Sequence, residues 1–253
     1  MKYVRNGQKF PASMTKWSRI WGAALCETDA PVASLTEIII QFVDLNASVQ
    51  QGQAVDADAV IREALLLDTA LGEWKAALPP AWKYRVVISP EAQGTYEGQH
   101  HVYSDHWIAR MWDHYRWTRI LVHELILTHL ILLPSLPTEL YEQQTQSLAI
   151  ISHLASRICA SVSSQLYRPD ATTPEPGSNI QLTSVFMLLW PLKVAGSAIG
   201  VPEALHEWVL DVLENIGRTM GIRQTKVVIF TTVMQREYWK SNRAFVSRDS
   251  IST

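Results

Sequence analysis

Residues 104–133 read SDHWIARMWDHYRWTRILVHELILTHLILL, a pattern that predicts one long helix. Ser104-Asp105 suits a helix N-terminus, and apolar residues then recur every three or four positions over about 45 Å of helix length. Trp107, Trp112 and Trp117 are five residues apart, so each lies about 140° around the axis from the last. Because they face several sides, we expect other helices to surround this one at the centre of a bundle. Its apolar stripe consists of Ile108, Met111, Tyr115, Val122, Leu125 and Leu132.

Helical spacing continues on both sides of this stretch. Upstream, Asp56 suits an N-cap and Pro79-Pro80 a helix end, and one apolar face lies between them. Downstream, Pro202 suits the first turn of a helix and Gly221 its end. The patterns predict an all-α fold, an irregular helical bundle of about eight helices, with an α-solenoid as the alternative. The predicted helices besides the central one cover residues 15–28, 33–51, 56–78, about 138–162, 181–197, 202–220 and 225–239.

Two segments predict loops instead of helices. Residues 79–103 contain scattered Gly and Pro, and residues 167–180 contain three prolines and a glycine. Within the first segment, Val86-Val87-Ile88 is compatible with a short strand that has no evident partner. At 253 residues, the chain is long enough for one large domain or at most two small ones, and it is interpreted as a single helical domain covering residues 1–253.

Composition and charge argue against several classes of partner. The formal net charge is −2, which gives no general attraction to nucleic acid or anionic lipid. The ten tryptophans exceed what a core commonly needs and leave room for an aromatic ligand cavity. Cys26 and Cys159 lie far apart in apolar helical stretches, which favours two buried free thiols in a reducing compartment.

No segment singled out by its hydropathy predicts a membrane span. Residues 1–16 lack the apolar run of a signal peptide. The stretch Ile120–Leu133 carries His and Glu, and Val185–Gly200 is short and contains Pro191 and Lys193. We therefore expect an intracellular protein that does not contact a membrane.

The histidines do not form a recognisable metal pattern. A zinc-protease helix needs His-Glu-x-x-His, but His123-Glu124 is followed by Leu127 where the second His belongs. His106 and His114 share a helix face, yet Arg110 stands midway between them. The sequence also lacks a phosphate-binding glycine loop and a nucleophile elbow. We predict no catalytic residues, no metal site and no cofactor in this chain.

Charged residues on the tryptophan-bearing helix have two interpretations. Asp113 and Arg116 are three positions apart and can pair. They either form a solvated charged face or lie at the mouth of an aromatic cavity, where they would orient a small effector. The second interpretation predicts an effector pocket formed by Arg110, Trp112, Asp113, His114, Trp117 and Trp190.

Three segments in order resemble the fungal-specific transcription factor domain, the helical regulatory region of the six-cysteine zinc-cluster factors. Residues 65–82 resemble its segment of a helix, a Trp, Leu-Pro and a second Trp. Residues 112–120 resemble its arginine-bearing aromatic helix. Leu188-Leu189-Trp190-Pro191-Leu192, together with residues 216–222, resembles its C-terminal segment. The likeness covers about residues 35–240.

The resemblance implies a nuclear regulator of transcription that does no chemistry itself. Its implied partners are a small-molecule effector, the transcriptional machinery or a second copy of the chain. The family's zinc cluster needs six clustered cysteines, whereas this sequence has Cys26 and Cys159 far apart and no basic run. The resemblance therefore implies neither zinc binding nor direct DNA contact for this chain.

Two other functions remain open at this stage. A helical small-molecule enzyme could use a cavity near Trp112 and His114, in which case His114→Ala would abolish turnover without unfolding the protein. A helical interaction scaffold would form a stable complex with another chain and would show no ligand-induced rise in melting temperature.

Overall fold

The computed structural model describes residues 7–9, 30–54, 56–89, 94–130, 133, 138–166 and 182–241. These residues form seven α-helices and one two-stranded sheet, so the predicted all-α helical bundle is confirmed. The predicted helix at 15–28 and the predicted loop at 167–180 lie outside the described residues. The helices are α1 (Ala30–Gln50), α2 (Ala57–Ala76), α3 (His106–Leu130), α4 (Thr138–Leu166), α5 (Leu182–Ser197), α6 (Glu203–Met220) and α7 (Gln224–Ser241).

The chain divides into two compact units. The first comprises the residues up to Pro80 together with Leu121–Ser147, and the second comprises Ala81–Ile120 together with the residues from Leu148 onward. Helices α3 and α4 therefore contribute residues to both units. Chain length allows one large domain or two small ones, and it does not show where such a division would fall.

Helices α1 and α2 pack against each other in the first unit. The side chain of Asp56 accepts a hydrogen bond from the amide of Asp58 and caps α2, as its sequence predicts. The indole of Trp74 on α2 donates to the carbonyl oxygen of Pro31 on α1 at 2.7 Å. The predicted face of α2 is buried at Val60, Ala64, Leu67, Leu71, Trp74 and Leu78.

Helix α1 also has the length and composition of a membrane span, although one third of its most apolar window is buried within the protein. Hydropathy alone had pointed to Ile120–Leu133 and Val185–Gly200 as the most apolar stretches, and α1 was not among them. Core helices of soluble proteins and signal sequences meet the same criterion. The absence of membrane contact stays a prediction.

A β-hairpin stands where the sequence predicted a loop. Strand β1 (Arg85–Ile88) pairs antiparallel with β2 (Gln99–Val102), so the expectation that residues 79–103 form a loop is wrong in part, and Val86-Val87-Ile88 does have a partner. Glu97 and Gly98 near the hairpin end both have positive φ, of 52° and 67°. Two such residues in succession match the tight turn that suits the twist of paired strands. The partner was missed because Gln99-His100-His101-Val102 lacks a strand-like pattern.

Helices α5, α6 and α7 pack pairwise in the second unit. A Cβ built on Gly196 of α5 would lie 2.8 Å from Val209 Cγ1 on α6 and 3.2 Å from Thr232 Cγ2 on α7. The helices therefore approach at a point where a larger side chain would not fit. Gly221 ends α6 in the left-handed conformation, with φ of 68°, as its sequence position predicts.

Candidate effector site

The predicted pair Asp113 and Arg116 is formed, but it is buried. Arg116 Nη1 lies 2.8 Å from Asp113 Oδ1, and each residue is 1% exposed. The interpretation as a solvated charged face is therefore wrong for these two residues. Helix α3 carries them on the side that β2 and α4 cover within the second unit, a burial that spacing along one helix cannot reveal.

Aromatic rings enclose the Arg116 guanidinium. Its central carbon lies 5.1 Å from the ring centroid of Tyr84, 5.4 Å from that of Trp112 and 5.9 Å from that of Tyr103. These distances permit cation–π attraction, which is stronger where water is excluded. Arg116 also donates to Nδ1 of His101 at 3.3 Å. Burial, together with the charges of Arg116 and Arg157, lowers the pKa of His101 to about 2, so this histidine is neutral.

The Asp113 carboxylate is bound from a second helix as well. Ser161 on α4 donates to its Oδ1 at 2.9 Å, and Gln165 donates to Oδ2 at 2.6 Å. Burial raises the pKa of Asp113, while Arg116 and these hydrogen bonds act in the opposite direction. Both charges of the pair are thus satisfied by protein groups. The pair links α3, α4 and the hairpin. It leaves no unpaired charge to bind a charged ligand.

The remaining aromatic members of the predicted pocket form a chain of rings on α3 and α5. The rings of His114 and Trp117 lie 5.9 Å apart, and those of Trp117 and Trp190 lie 6.1 Å apart, edge to face. Trp117 is buried and Trp190 is half-buried. The structure thus brings together three of the six predicted residues, and we call them the aromatic chain.

The aromatic chain carries two unsatisfied donors. The indole nitrogens of Trp117 and Trp190 are buried and have no hydrogen-bond partner in the part of the chain that the structure describes. Leaving a buried donor unpaired costs about 1–3 kcal/mol, so two in adjacent rings are unusual. By contrast, the indole of Trp112 donates to the carbonyl oxygen of Trp82 at 2.8 Å. Because these two indole N–H groups lack acceptors, we take the aromatic chain, and not the ion pair, as the candidate site.

His114 adds an acceptor to the aromatic chain. Its Nδ1 lies 2.8 Å from the carbonyl oxygen of Arg110, which can only accept, so Nδ1 carries the proton. Burial lowers the pKa of His114, and the ring is therefore neutral at pH 7, with Nε2 as an acceptor. The guanidinium of Arg110 itself lies over the exposed Trp107 ring at 5.4 Å.

A second polar cluster, in the first unit, was not predicted. His123 on α3 lies 3.0 Å from Asp68 Oδ1 on α2 through Nε2, and 3.0 Å from Ser147 Oγ on α4 through Nδ1. A Ser-His-Asp triad uses the two nitrogens the other way round and exposes the serine. Here Ser147 is fully buried and also accepts from Gln143 at 3.1 Å. The cluster therefore joins three helices and does not form a nucleophile.

An open groove of about 1000 Å³ lies at the turn between α6 and α7. Carboxylates line it together with cations, and none of the six predicted pocket residues takes part. Within the described residues, no three His, Cys, Asp or Glu side chains come close enough to hold a metal ion. The charged residues of the groove are Asp211, Glu214, Arg218, Arg223 and Lys226.

Comparisons of this chain with family models, with curated proteins and with solved structures find no match.

Proposed function

We propose that this chain is the regulatory region of a fungal transcription factor, acting in the nucleus, and that it controls transcription by binding a small effector. The observation that carries the proposal is the ordered series of three segments at 65–82, at 112–120 and at 188–192 with 216–222. Their helical parts fall on α2, α3, α5 and α6, in agreement with the all-helical architecture that the resemblance implies.

The aromatic chain supports a small ligand as the effector. The indole N–H groups of Trp117 and Trp190 require acceptors, and neutral His114 offers an acceptor of its own. Asp113 and Arg116 would not hold a charged effector, because this pair is already enclosed and mutually neutralised. A compound with a carbonyl acceptor would satisfy the donors.

A reporter assay tests the regulatory role. The full chain is fused to a heterologous DNA-binding domain and expressed in a fungal host with a matching reporter gene. We expect reporter output to differ from that of the DNA-binding domain alone and to change with the carbon or nitrogen source. Reporter output equal to that of the DNA-binding domain alone under every condition, with intact fusion protein, would contradict the proposal.

Replacing one indole tests the site. Trp117→Phe keeps an apolar ring and removes the N–H, so we expect it to abolish the nutrient response and any ligand-induced rise in melting temperature. Trp107→Phe is the matched control, because Trp107 is on the same helix but 45% exposed. An equal loss in both variants, or a full response in Trp117→Phe, would exclude the aromatic chain as the effector site.

A further inference from the structure

Strand β1 has hydrogen-bonding groups that point away from the hairpin. Among the described residues the sheet has two strands, so β1 pairs on one side only, with β2. The amide of Ser89 donates to the carbonyl oxygen of Gly98 at 2.7 Å. Hydrogen-bonded pairs alternate along an antiparallel ladder, so Val87 also bonds to β2, whereas the N–H and C=O groups of Val86 and Ile88 point away from it. We call these outward backbone groups the free edge.

The free edge is open to solvent. Val86 and Ile88 are 46% and 73% exposed. Within the part of the chain that the structure describes, their outward backbone groups have no hydrogen-bond partner. A row of unpaired N–H and C=O groups matches the repeat of another extended backbone, which a helix or a small molecule does not reproduce. The geometry of the free edge therefore fits an extended segment of chain.

Two cations lie beside the free edge without a counter-ion. Arg85 is in β1 and Lys83 is two residues earlier, and both are exposed. Neither forms an ion pair with another described residue. Strand β1 contains no carboxylate, so the edge is positively charged at its N-terminal end and apolar at its C-terminal end. Opposite charges across a strand pair are stabilising, which favours an acidic residue opposite Arg85.

We propose that an extended, acidic segment of another protein adds to this sheet as a third strand beside β1. Antiparallel pairing is the slightly more stable arrangement, and it places β-branched residues of the segment opposite Ile88 and Val86 and an acidic residue opposite Arg85. A second copy of β1 fits less well, because it would bring further cations to the sheet and no carboxylate. The docking site uses none of the residues of the aromatic chain, so it is independent of effector binding.

Fluorescence anisotropy with a short labelled peptide tests this pairing. The peptide carries valine opposite Val86 and Ile88 and glutamate opposite Arg85 and Lys83, and a matched peptide carries lysine in place of glutamate. We expect saturable binding of the glutamate peptide to the full chain and binding at least about tenfold weaker for the lysine peptide. A glutamate peptide that does not saturate up to about 1 millimolar, or equal binding of the two peptides, would overturn the proposal.

Two substitutions at Val86 test whether the backbone makes the contact. Val86→Pro removes an N–H that does not bond to β2, at an edge position where a strand tolerates proline. We expect it to weaken peptide binding at least about tenfold while circular dichroism stays unchanged. Val86→Thr is the matched control, because it keeps the N–H and the β-branched shape and should retain the wild-type affinity. Equal affinities of the two variants for the glutamate peptide would contradict pairing through the free edge.

Reversing one charge tests the acidic character of the segment without using proline. Arg85→Glu should bind the lysine peptide more tightly than the glutamate peptide, whereas Lys75→Glu, at an exposed position of α2, should keep the wild-type preference. An unchanged preference in Arg85→Glu would exclude an acidic segment as the occupant. Sedimentation velocity of the chain alone tests the competing occupant: a dimer that Val86→Pro dissociates would place a second copy at the free edge and overturn the proposal.

Discussion

At the scale of single residues, the most consequential interaction is the buried pair of Asp113 and Arg116. Arg116→Met keeps most of the side-chain volume but leaves the Asp113 carboxylate buried without its counter-ion. We expect the free energy of unfolding to fall by about 3–5 kcal/mol at pH 7. Urea unfolding followed by circular dichroism measures this loss. The double variant Asp113→Asn with Arg116→Met should be less destabilised, because it buries no uncompensated charge.

The loss of stability in Arg116→Met should depend on pH in one direction. Burial already raises the pKa of Asp113, and removing Arg116 raises it further. A carboxyl whose pKa is raised by folding favours the folded state below its unfolded pKa, and this contribution is lost as the pH rises through the folded pKa. The stability difference between wild type and Arg116→Met should therefore narrow in acid. A difference that is constant or widens from pH 7 to about pH 4, near the ordinary pKa of aspartate, would contradict this account.

Sequence patterns identified Asp113 and Arg116 as a pair but did not identify the elements that bury them. The spacing of Asp113 and Arg116 predicted that they pair, whereas their burial depends on Ser161, 48 residues away, and on the hairpin. Likewise, the sequence around His123 shows only that a zinc motif is incomplete, because its partner Asp68 lies 55 residues earlier. Periodicity along one helix reports which residues share a face. It does not report which other element covers that face.

At the scale of elements, alanine substitutions at Gly196 and Gly72 should change the stability of the protein in opposite directions. Gly196→Ala would force α5 away from Val209 and Thr232, so we expect a loss of about 1–3 kcal/mol in the free energy of unfolding. Gly72→Ala lies inside α2 with nothing within 4 Å of the new Cβ, and it should gain up to about 1 kcal/mol from helix propensity. Thermal unfolding measures the melting temperatures of both variants. Shifts of the same sign relative to wild type would contradict this prediction.

The elements themselves were largely predictable because most of them are long helices with apolar periodicity. The bounds predicted for α5 and α6, 181–197 and 202–220, differ from the structure by one residue at their starts. The hairpin was not predictable in the same way. Its second strand consists of Gln99, two histidines and Val102, and it is specified by its pairing with β1 and by the burial of His101 beside Arg116.

At the scale of the whole molecule, the sequence predicted the fold class but not the division into two compact units. Residues 1–80 and 121–147 belong to one unit although they are far apart along the chain. Such a division depends on which helices pack, and helical spacing does not encode it. Of the six residues predicted to line an effector pocket, His114, Trp117 and Trp190 lie together, while Asp113 and Arg116 pair with each other elsewhere.

The reactivity of the buried Cys159 thiol can measure how readily the second unit opens. Burial raises the pKa of Cys159 well above its usual value, so its reactive thiolate is almost absent while α4 stays packed. Alkylation at this position can then proceed only through opening of the structure, and its rate reports the opening free energy. We expect alkylation at least about ten-thousandfold slower than in an unfolded chain, measured by mass spectrometry of the Cys159 peptide. Alkylation within tenfold of the unfolded rate would mean that α4 opens locally. Alkylation with and without a candidate ligand would then measure binding as a change in the opening free energy.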